Sequence, residues 1–460
     1  MSMRCSKDFR ALLLLVAMIW LAGCSGGNDN SSIQSGTSPD TTTPGTNTPP
    51  GTNTPPGSTT PQPTGPMGSF NAAVAAMIPV PNGNGDIYVA GPFTAYNTQP
   101  VQPVVRLRPN GTLNDSFKLT DAITAPAQGG VTAIAAADDG SGDLYVSETI
   151  PVSDIRSTVR VWKVNPTGAV ASGFTSGDLT YASQPLDGPS TRVFAMAPVG
   201  DGSGRVYLGG VFDTYNQTPV QHLARVNTNG TIDATFGPGL SGSWIWNLLP
   251  AKAGSGDLYV ITQARDGPGS IGPGGLLRLN PDGTLDPAFP RFGVIEQSPS
   301  TMSLAEDGSG DLFIAGGFTL LPPVLPGFVR LHPDGSIDEP SPRMSPDGTP
   351  DPTSPFPGVW FPKFLTAATD GTHDWFMVGD GTPDHPTPHL QRFHTDGAPD
   401  SSFTIGQTSG SAGFSGINLI LPAPDNTGDI YVAGSFTTYN GVQVGHIARI
   451  NANGTLEQGG

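Results

Sequence analysis

The chain of 460 residues has only two cysteines, Cys5 and Cys24, and both lie within its first 24 residues. The remainder therefore has no disulfide, no cysteine metal ligand and no cysteine nucleophile. Cations are also scarce, since 21 Lys and Arg stand against 38 Asp and Glu, for a formal charge of −17. A surface this acidic repels nucleic acid, so we expect no nucleic-acid partner.

Two further absences concern the long segment 68–460. No stretch of it sustains the 3.6-residue apolar period of a helix, which predicts an all-β body. It also has no Gly-x-Ser-x-Gly nucleophile turn, no phosphate loop and no dinucleotide-binding fingerprint. The sequence therefore indicates no catalytic residue.

The N-terminus has the pattern of an export signal. Arg4, Lys7 and Arg10 precede an apolar run over 11–22, which is too short to span about 30 Å of hydrocarbon. The run ends in Leu-Ala-Gly-Cys at 21–24, which resembles the bacterial lipobox; the alternative is an ordinary secretory signal with an incidental cysteine. The resemblance implies that residues 1–23 are removed, that Cys24 is lipidated, and that this lipid anchor attaches the protein to a membrane. The residue after the cysteine is Ser25 rather than Asp, which implies delivery to the outer membrane, with the protein facing the periplasm or the cell surface.

The next segment, 24–67, is rich in Thr, Pro, Gly and Ser and has almost nothing apolar to bury. Such a composition cannot offset the entropy of ordering, so we predict a disordered tether that holds the body away from the membrane. The folded domain is then 68–460.

This domain is built from seven repeats of about 57 residues. Each repeat has a basic residue followed, five positions later, by a glycine. We number the units 1 to 7 by their basic residues, which are Arg106, Lys163, Arg225, Arg278, Arg330, Arg392 and Arg449. Seven units of this size indicate an array, a solenoid or a propeller.

Each unit is predicted to hold four short strands, which in unit 3 are 193–197, 206–212, 222–226 and 231–236. Turns such as Asn-Pro-Asp-Gly at 280–283 separate them, with Gly supplying a left-handed residue. Four strands repeated seven times favour a seven-bladed β-propeller, because radial closure protects the sheet edges.

The pattern Gly-Ser-Phe-Thr-Thr-Tyr-Asn-Gly at 434–441, followed by a basic residue between aliphatics and Asn-x-Asn-Gly-Thr-Leu at 451–456, resembles the delta-sixty repeat of exported bacterial proteins. The resemblance covers nearly all of 68–460, best in units 1, 3 and 7. It implies a propeller and export, and it implies no catalytic residues.

The ends of the domain predict ring closure. Five of the seven units end in Phe, in units 3, 4 and 6 as Asp-x-x-Phe. Unit 7 stops at Gly460 without that aromatic, and Gly68-Ser69-Phe70 matches the missing end, as in Ser402-Phe403. We therefore expect Phe70 to pack beside the unit that contains Gly454.

The recurring basic residues indicate structure rather than chemistry, because a site is usually built by breaking symmetry. In the hairpins of units 3 to 7 the basic residue falls opposite a carboxylate eight positions on, which predicts cross-strand pairs worth roughly 0.2–1 kcal/mol each. The predicted pairs are Arg225–Asp233, Arg278–Asp286, Arg330–Asp338, Arg392–Asp400 and Arg449–Glu457.

Two features are candidate metal ligands. The Asp-Gly-Ser-Gly-Asp turns have oxygens of the kind that Ca²⁺ prefers, although solvated hairpin turns explain them equally well. A histidine cluster in unit 6 breaks the repeat, although prolines interrupt it and no helical pair presents its rings. The candidates are Asp139, Asp143, Asp307, Asp311, His385, His389 and His394. No other cofactor is expected.

Two functions remain open. The first is a monomeric binding or structural module at the cell envelope, with a protein or a glycan as partner. The alternative is an envelope enzyme that acts on polysaccharide in the central funnel of the propeller. Fold supports neither by itself; a convergent group of carboxylate, His and Arg side chains in the channel would favour the enzyme.

Overall fold

A computed structural model describes fifteen stretches of the chain, all within one compact unit, Thr60–Gly460. The described stretches are 67–81, 83–123, 130–153, 156–181, 190–240, 243–252, 255–264, 275–290, 292–293, 299–320, 325–338, 362–379, 389–395, 398–409 and 416–457. Within them every regular element is a strand, so the all-β prediction is confirmed. No helix in these stretches is long and apolar enough to cross a bilayer.

The strands are short, as expected for alternating aliphatic and small residues between glycine-rich turns. In chain order they are β1 (Ala76–Pro79), β2 (Ile87–Ala90), β3 (Ala95–Tyr96), β4 (Gln99–Pro100), β5 (Val104–Leu107), β6 (Gly130–Ala136), β7 (Leu144–Ser153), β8 (Arg156–Val164), β9 (Gly177–Thr180), β10 (Arg192–Pro198), β11 (Val206–Val211), β12 (Thr214–Tyr215), β13 (Thr218–Pro219), β14 (Leu223–Val226), β15 (Ser243–Pro250), β16 (Leu258–Ala264), β17 (Gly275–Leu279), β18 (Phe292–Gly293), β19 (Pro299–Leu304), β20 (Leu312–Leu320), β21 (Leu325–Leu331), β22 (Pro362–Ala367), β23 (Trp375–Gly379), β24 (His389–Phe393), β25 (Gly406–Ser409), β26 (Ile417–Pro422), β27 (Ile430–Gly434), β28 (Thr438–Tyr439), β29 (Val442–Gln443) and β30 (Ile447–Ile450).

Each unit contains one antiparallel meander of three strands. The meanders are β1-β2-β5, β6-β7-β8, β10-β11-β14, β15-β16-β17, β19-β20-β21, β22-β23-β24 and β26-β27-β30. The first strand of each meander contacts the first strand of the next, and β1 also contacts β26. We call these seven first strands, β1, β6, β10, β15, β19, β22 and β26, the inner strands. Apolar clusters lie between neighbouring sheets, as between units 2 and 3.

The fourth strand lies elsewhere than predicted. In unit 3 the segment 231–236 makes a single bridge, Val226 to Ile232, and then turns away. The Asp233 carboxylate causes this turn, because it accepts hydrogen bonds from the amide and the hydroxyl of Thr235 (2.9 and 2.6 Å). Where the fourth strand is described it follows the terminal Phe, as β9, β18 and β25 do in units 2, 4 and 6.

The repeated Tyr-Asn pair clamps the fourth strand of the preceding unit. In unit 3 the Tyr215 hydroxyl donates to the Gly230 carbonyl (2.8 Å), and a Cβ at Gly177 would lie 2.0 Å from the Tyr215 ring. The side-chain oxygen of Asn216 accepts a hydrogen bond from the backbone amide of Asp178 (2.8 Å), and the backbone amide of Asn216 donates to the Asp178 carbonyl (2.8 Å). Asn216 has a φ of 47°, the left-handed conformation that a tight hairpin requires and that Asn tolerates. In unit 7, Tyr439 and Asn440 hold Gly406 and Gln407 in the same way.

The first described residues occupy this clamp in unit 1. The Tyr96 hydroxyl accepts from the Gly68 amide (2.7 Å), and Asn97 accepts from the Ser69 amide (2.8 Å). On the other side the Phe70 amide donates to the carbonyl of Gly445 in unit 7 (3.0 Å). The segment 68–71 is therefore hydrogen-bonded to both the first and the last unit.

This register corrects the predicted alignment of Phe70 with Phe403. Phe70 bridges Tyr96, as Thr408 pairs with Tyr439, so it corresponds to a fourth-strand residue that follows the terminal Phe. The Phe70 ring is 3% exposed, stacks on Phe93 (centroids 4.1 Å apart), and shares one buried cluster with residues of unit 7.

Candidate functional site

The recurring basic residue lies at the centre of a buried charge network. In unit 7 the Arg449 side chain is 0% exposed. Its Nη2 atom lies 2.7 Å from Asp425 and 2.8 Å from Asp429, and its Nε atom lies 3.1 Å from Glu457. The guanidinium also lies over the Tyr431 ring, 5.4 Å from the centroid. A charge this deeply buried persists only when it is paired, so the network is part of the framework.

The predicted cross-strand pairs are in contact. The shortest distances are 2.8 Å for Arg225–Asp233, 2.5 Å for Arg278–Asp286, 3.0 Å for Arg330–Asp338, 3.6 Å for Arg392–Asp400 and 3.1 Å for Arg449–Glu457. They are not isolated pairs, however. Arg330 and Arg392 lie closer to carboxylates of the turn between the first two strands, at 2.7 Å from Asp311 and 2.6 Å from Asp370.

The same guanidinium groups also join neighbouring units. Arg225 donates to the carbonyl of Pro281 in unit 4 (2.6 Å), and Arg278 donates to the carbonyl of Pro333 in unit 5. Arg449 of unit 7 donates to Pro109 of unit 1 (3.4 Å). This last bond crosses the same junction as Phe70.

The carboxylates proposed for Ca²⁺ face cations of the protein. Asp139 and Asp143 lie 3.8 and 3.1 Å from the Lys163 ammonium, and Asp307 lies 2.5 Å from Arg330. Burial favours a higher pKa for Asp307, but hydrogen bonds from Ser309 and Arg330 outweigh burial and lower the pKa to about 2. These turns therefore hold carboxylates that are already neutralised, which favours the hairpin-turn interpretation over a calcium loop.

The two unit 6 candidate histidines that the structure describes, His389 and His394, lie apart. His389 is the first residue of β24 and is buried, whereas His394 follows the last residue of that strand. Five residues of extended chain separate them by about 16 Å, too far to share one ion through bonds of about 2 Å. His389 occupies the same repeat position as His222 and His446, three residues before the basic residue, so it does not break the symmetry. His385 and Cys24 lie outside the described residues.

A carboxylate–histidine group that the sequence did not suggest lies in unit 5. Ligand atoms of Asp311, His332 and Asp338 lie within 4.8 Å of one another. Arg330 contacts both carboxylates, at 2.7 and 3.0 Å, so the charge a cation would supply is already present. His332 occupies the repeat position of His394, whose Nδ1 atom lies 3.3 Å from Asp374, so the group is a variant of the repeat network.

The inner strands share a β-bulge that the sequence did not predict. In units 2 to 7 their register shifts within the first four residues, which leaves one residue opposite no partner. The bulged positions are Thr132, Phe194, Trp246, Ser300, Lys363 and Asn418. The repeat glycine of the second strand adjoins the bulge, and a Cβ at Gly434 would lie 2.3 Å from the Gly416 carbonyl oxygen. Bulges re-aim side chains and are frequent beside functional sites.

Charge on the inner strands is opposite in sign to that of the chain. The seven strands contain no Asp, Glu or His, and their charged residues are Arg192 and Lys363, both exposed. Bulged residues of neighbouring units also meet, since the Phe194 and Trp246 rings lie 4.6 Å apart at 46°. This end of the inner strands is the candidate functional site, where the described strand residues include the exposed Trp246, Arg192 and Lys363 and no acid.

Comparison with known proteins supports the architecture. Residues 83–117, 202–236, 274–289 and 426–459 match the family model of a β-propeller domain of unknown function, DUF5122. These segments cover the hairpins of units 1, 3, 4 and 7 that carry the basic residue and the Gly turn. No curated protein sequence matches the chain.

Solved structures resemble the fold at low sequence identity. The GH74 xyloglucanase from Xanthomonas campestris has a TM-score of 0.51 and 14% identity, with 84% of this chain and 53% of that chain covered. This chain thus spans about half the length of the xyloglucanase. The WD40 β-propeller domain of Doa1 has a TM-score of 0.46 and 9% identity, with 81% of this chain and 94% of that chain covered.

Repeated antiparallel meanders, inner strands that contact one another in a circle, and a match to a β-propeller family model agree with one another. The chain is therefore an all-β protein with a β-propeller domain.

Proposed function

We propose that the chain is an exported bacterial lipoprotein whose body, a closed seven-bladed propeller of delta-sixty repeats, binds a component of the cell envelope. Closure at seven blades is supported by the contact between β1 and β26 and by the segment 68–71, which is hydrogen-bonded to Gly445 of unit 7 and to Tyr96 and Asn97 of unit 1. The lipobox-like sequence at 21–24 supports lipidation at Cys24 and a location at the outer membrane.

The absence of acids and histidines from the inner strands is the observation that carries the binding function. Glycoside hydrolysis typically uses two carboxyl groups about 5–10 Å apart, one of them protonated. The inner strands contain no carboxyl group, and the carboxylates of the networks are engaged by Arg or Lys. Fold similarity to a xyloglucanase leaves chemistry open, because propellers host unrelated functions.

Capture of partners from envelope extract tests this proposal. The full chain in detergent is immobilised and incubated with solubilised envelope, and bound proteins and glycans are identified by mass spectrometry. A matched bait carries Trp246→Ala, which removes the exposed ring from the inner strands. Binding supports the proposal when a component is retained by the native chain and lost from this variant.

Release of shortened oligosaccharides from envelope polysaccharide by the native chain would instead establish the enzyme. Capture that is equal for both baits would contradict a binding site on the inner strands.

A further inference from the structure

One aromatic ring on the inner strands is unusually exposed. Trp246 is 40% exposed. Among the described residues four large hydrophobic side chains are exposed, and Trp246 is the one aromatic; the other three are Val152, Val170 and Val442. The aromatic rings of the repeat, such as Tyr207 and Phe212, are fully buried. An exposed indole that is paired with a second ring is typical of a contact surface, because it offers a large apolar face at little entropic cost.

The backbone holds this pair in a fixed place. Phe194 and Trp246 are both bulged residues, on adjacent inner strands β10 and β15, and their bulges lie among paired strand residues. The two rings are tilted by 46° with their centroids 4.6 Å apart, so Phe194 supports the indole and the exposed side of Trp246 offers one apolar face. A pyranose sugar, whose ring faces are made of C–H groups, can stack on such a face.

Charge at the same end of the inner strands defines the ligand further. Arg192 lies two residues before Phe194, and Lys363 occupies the bulged position of unit 6. Both side chains are exposed, and they are the charged residues of the inner strands in a chain whose net charge is −17. Arg192 stands beside the aromatic pair, and an exposed cation on an anionic body attracts anions and favours their binding.

We infer that the bulged end of the inner strands binds an acidic glycan, with Trp246, supported by Phe194, against a sugar ring and Arg192 near a carboxylate of the glycan. The half-buried Asn418, also at a bulge, places an amide at the same end of the strands, where it can bond to sugar hydroxyls. This inference rests on the proposed binding function and specifies its ligand class.

Titration of the full chain in detergent with acidic oligosaccharides tests the inference. The probes are oligogalacturonates and alginate oligomers, with the methyl ester of the same oligogalacturonate as the uncharged reference, and binding is measured by calorimetry. We expect at least one acidic oligomer to bind, the ester to bind more weakly, and Trp246→Ala to weaken binding roughly tenfold or more. Trp246→Phe should retain most of the affinity, because it keeps a ring at the bulge.

Charge variants separate specific contacts from general attraction. Arg192→Gln should weaken binding and flatten its salt dependence, whereas Lys118→Gln removes one exposed cation away from the inner strands and should change neither. Unaltered thermal unfolding of each variant shows that the body is intact.

Three results would overturn the inference: no binding of either acidic oligomer, equal binding of the ester, or equal binding by Trp246→Ala. If the envelope capture still returns a partner that depends on Trp246, and that partner is a protein, the glycan assignment fails while the binding function stands.

Discussion

Removal of the Phe70 ring tests how the domain is closed. Phe70→Ala deletes a side chain that is 3% exposed and that packs on Phe93 and Tyr96, with ring centroids 4.1 and 4.6 Å away. Truncation of a fully buried Phe typically costs about 3–5 kcal/mol, from lost burial and the cavity left behind. We expect a loss of that size in the free energy of unfolding, measured by urea denaturation, with one cooperative transition.

A double-mutant cycle shows whether this loss crosses the junction between the first and last units. Phe70 shares its buried cluster with Ile447 of unit 7, whereas Phe236 belongs to a separate cluster. Phe70→Ala combined with Ile447→Ala should deviate from additivity by about 0.5–3 kcal/mol, and combined with Phe236→Ala it should add within about 0.5 kcal/mol. A cost for Phe70→Ala below about 1 kcal/mol, or additivity with Ile447→Ala, would refute closure through this segment.

Three further predictions concern the anchor and the charge network. Cys24→Ser should yield an unanchored protein that fractionates with the soluble periplasmic contents, and an unacylated Cys24 within a longer native chain, seen by mass spectrometry, would contradict it. Arg449→Met should destabilise the domain by about 3–5 kcal/mol, because it leaves Asp425, Asp429 and Glu457 without their cation; Arg160→Met, at a half-exposed pair with Asp178, is the matched control and should cost under about 1 kcal/mol. Asp233 and Asp307 have pKa values lowered from 3.8 to about 2, so each stabilises the fold by about 2 kcal/mol above pH 4 and loses that contribution as pH falls towards 2. Urea titrations between pH 2 and 6 should show this decline, and stability that is constant over that range would contradict it.

The repeat could be predicted from the sequence because its turns and hairpins are determined by residues close together in the chain. Tight turns need a left-handed glycine, and Gly283 has a φ of 88° where the Asn-Pro-Asp-Gly turn placed it. The cross-strand position of Asp286 follows from the same turn, since its amide donates to the Arg278 carbonyl (2.9 Å). Such features depend on residues within about ten positions of one another.

Features that depend on the register between strands could not be predicted in this way. The second partner of Arg330 is Asp311, 19 residues earlier in the turn that precedes β20, and no local pattern links the two. In the sequence Phe70 can be aligned with the terminal Phe of a repeat. The bridge between Phe70 and Tyr96 in the structure assigns it instead to the fourth-strand position. The inner-strand bulges leave no mark of their own in the sequence, although the two tryptophans at 244 and 246 were a usable signal of a site.

The histidine cluster shows the opposite error, in which closeness in sequence was taken for closeness in space. His389 and His394 are near in the chain but stand at opposite ends of β24. Alignment on the basic residue would have placed His389 with His222 and His446 and removed the apparent break in symmetry.

The clamp on 68–71 also determines how the domain responds to mechanical force. Gly68 follows Cys24 in the sequence, so if Cys24 is lipidated as we propose, tension on that anchor would be applied first to the segment 68–71. The bonds that resist it are those of the Gly68, Ser69 and Phe70 amides, to Tyr96, Asn97 and Gly445. These bonds hold one short segment against two units, so we expect the junction between units 1 and 7 to yield before any meander does. A pull from the membrane would then open the domain at one defined seam and leave its seven meanders folded.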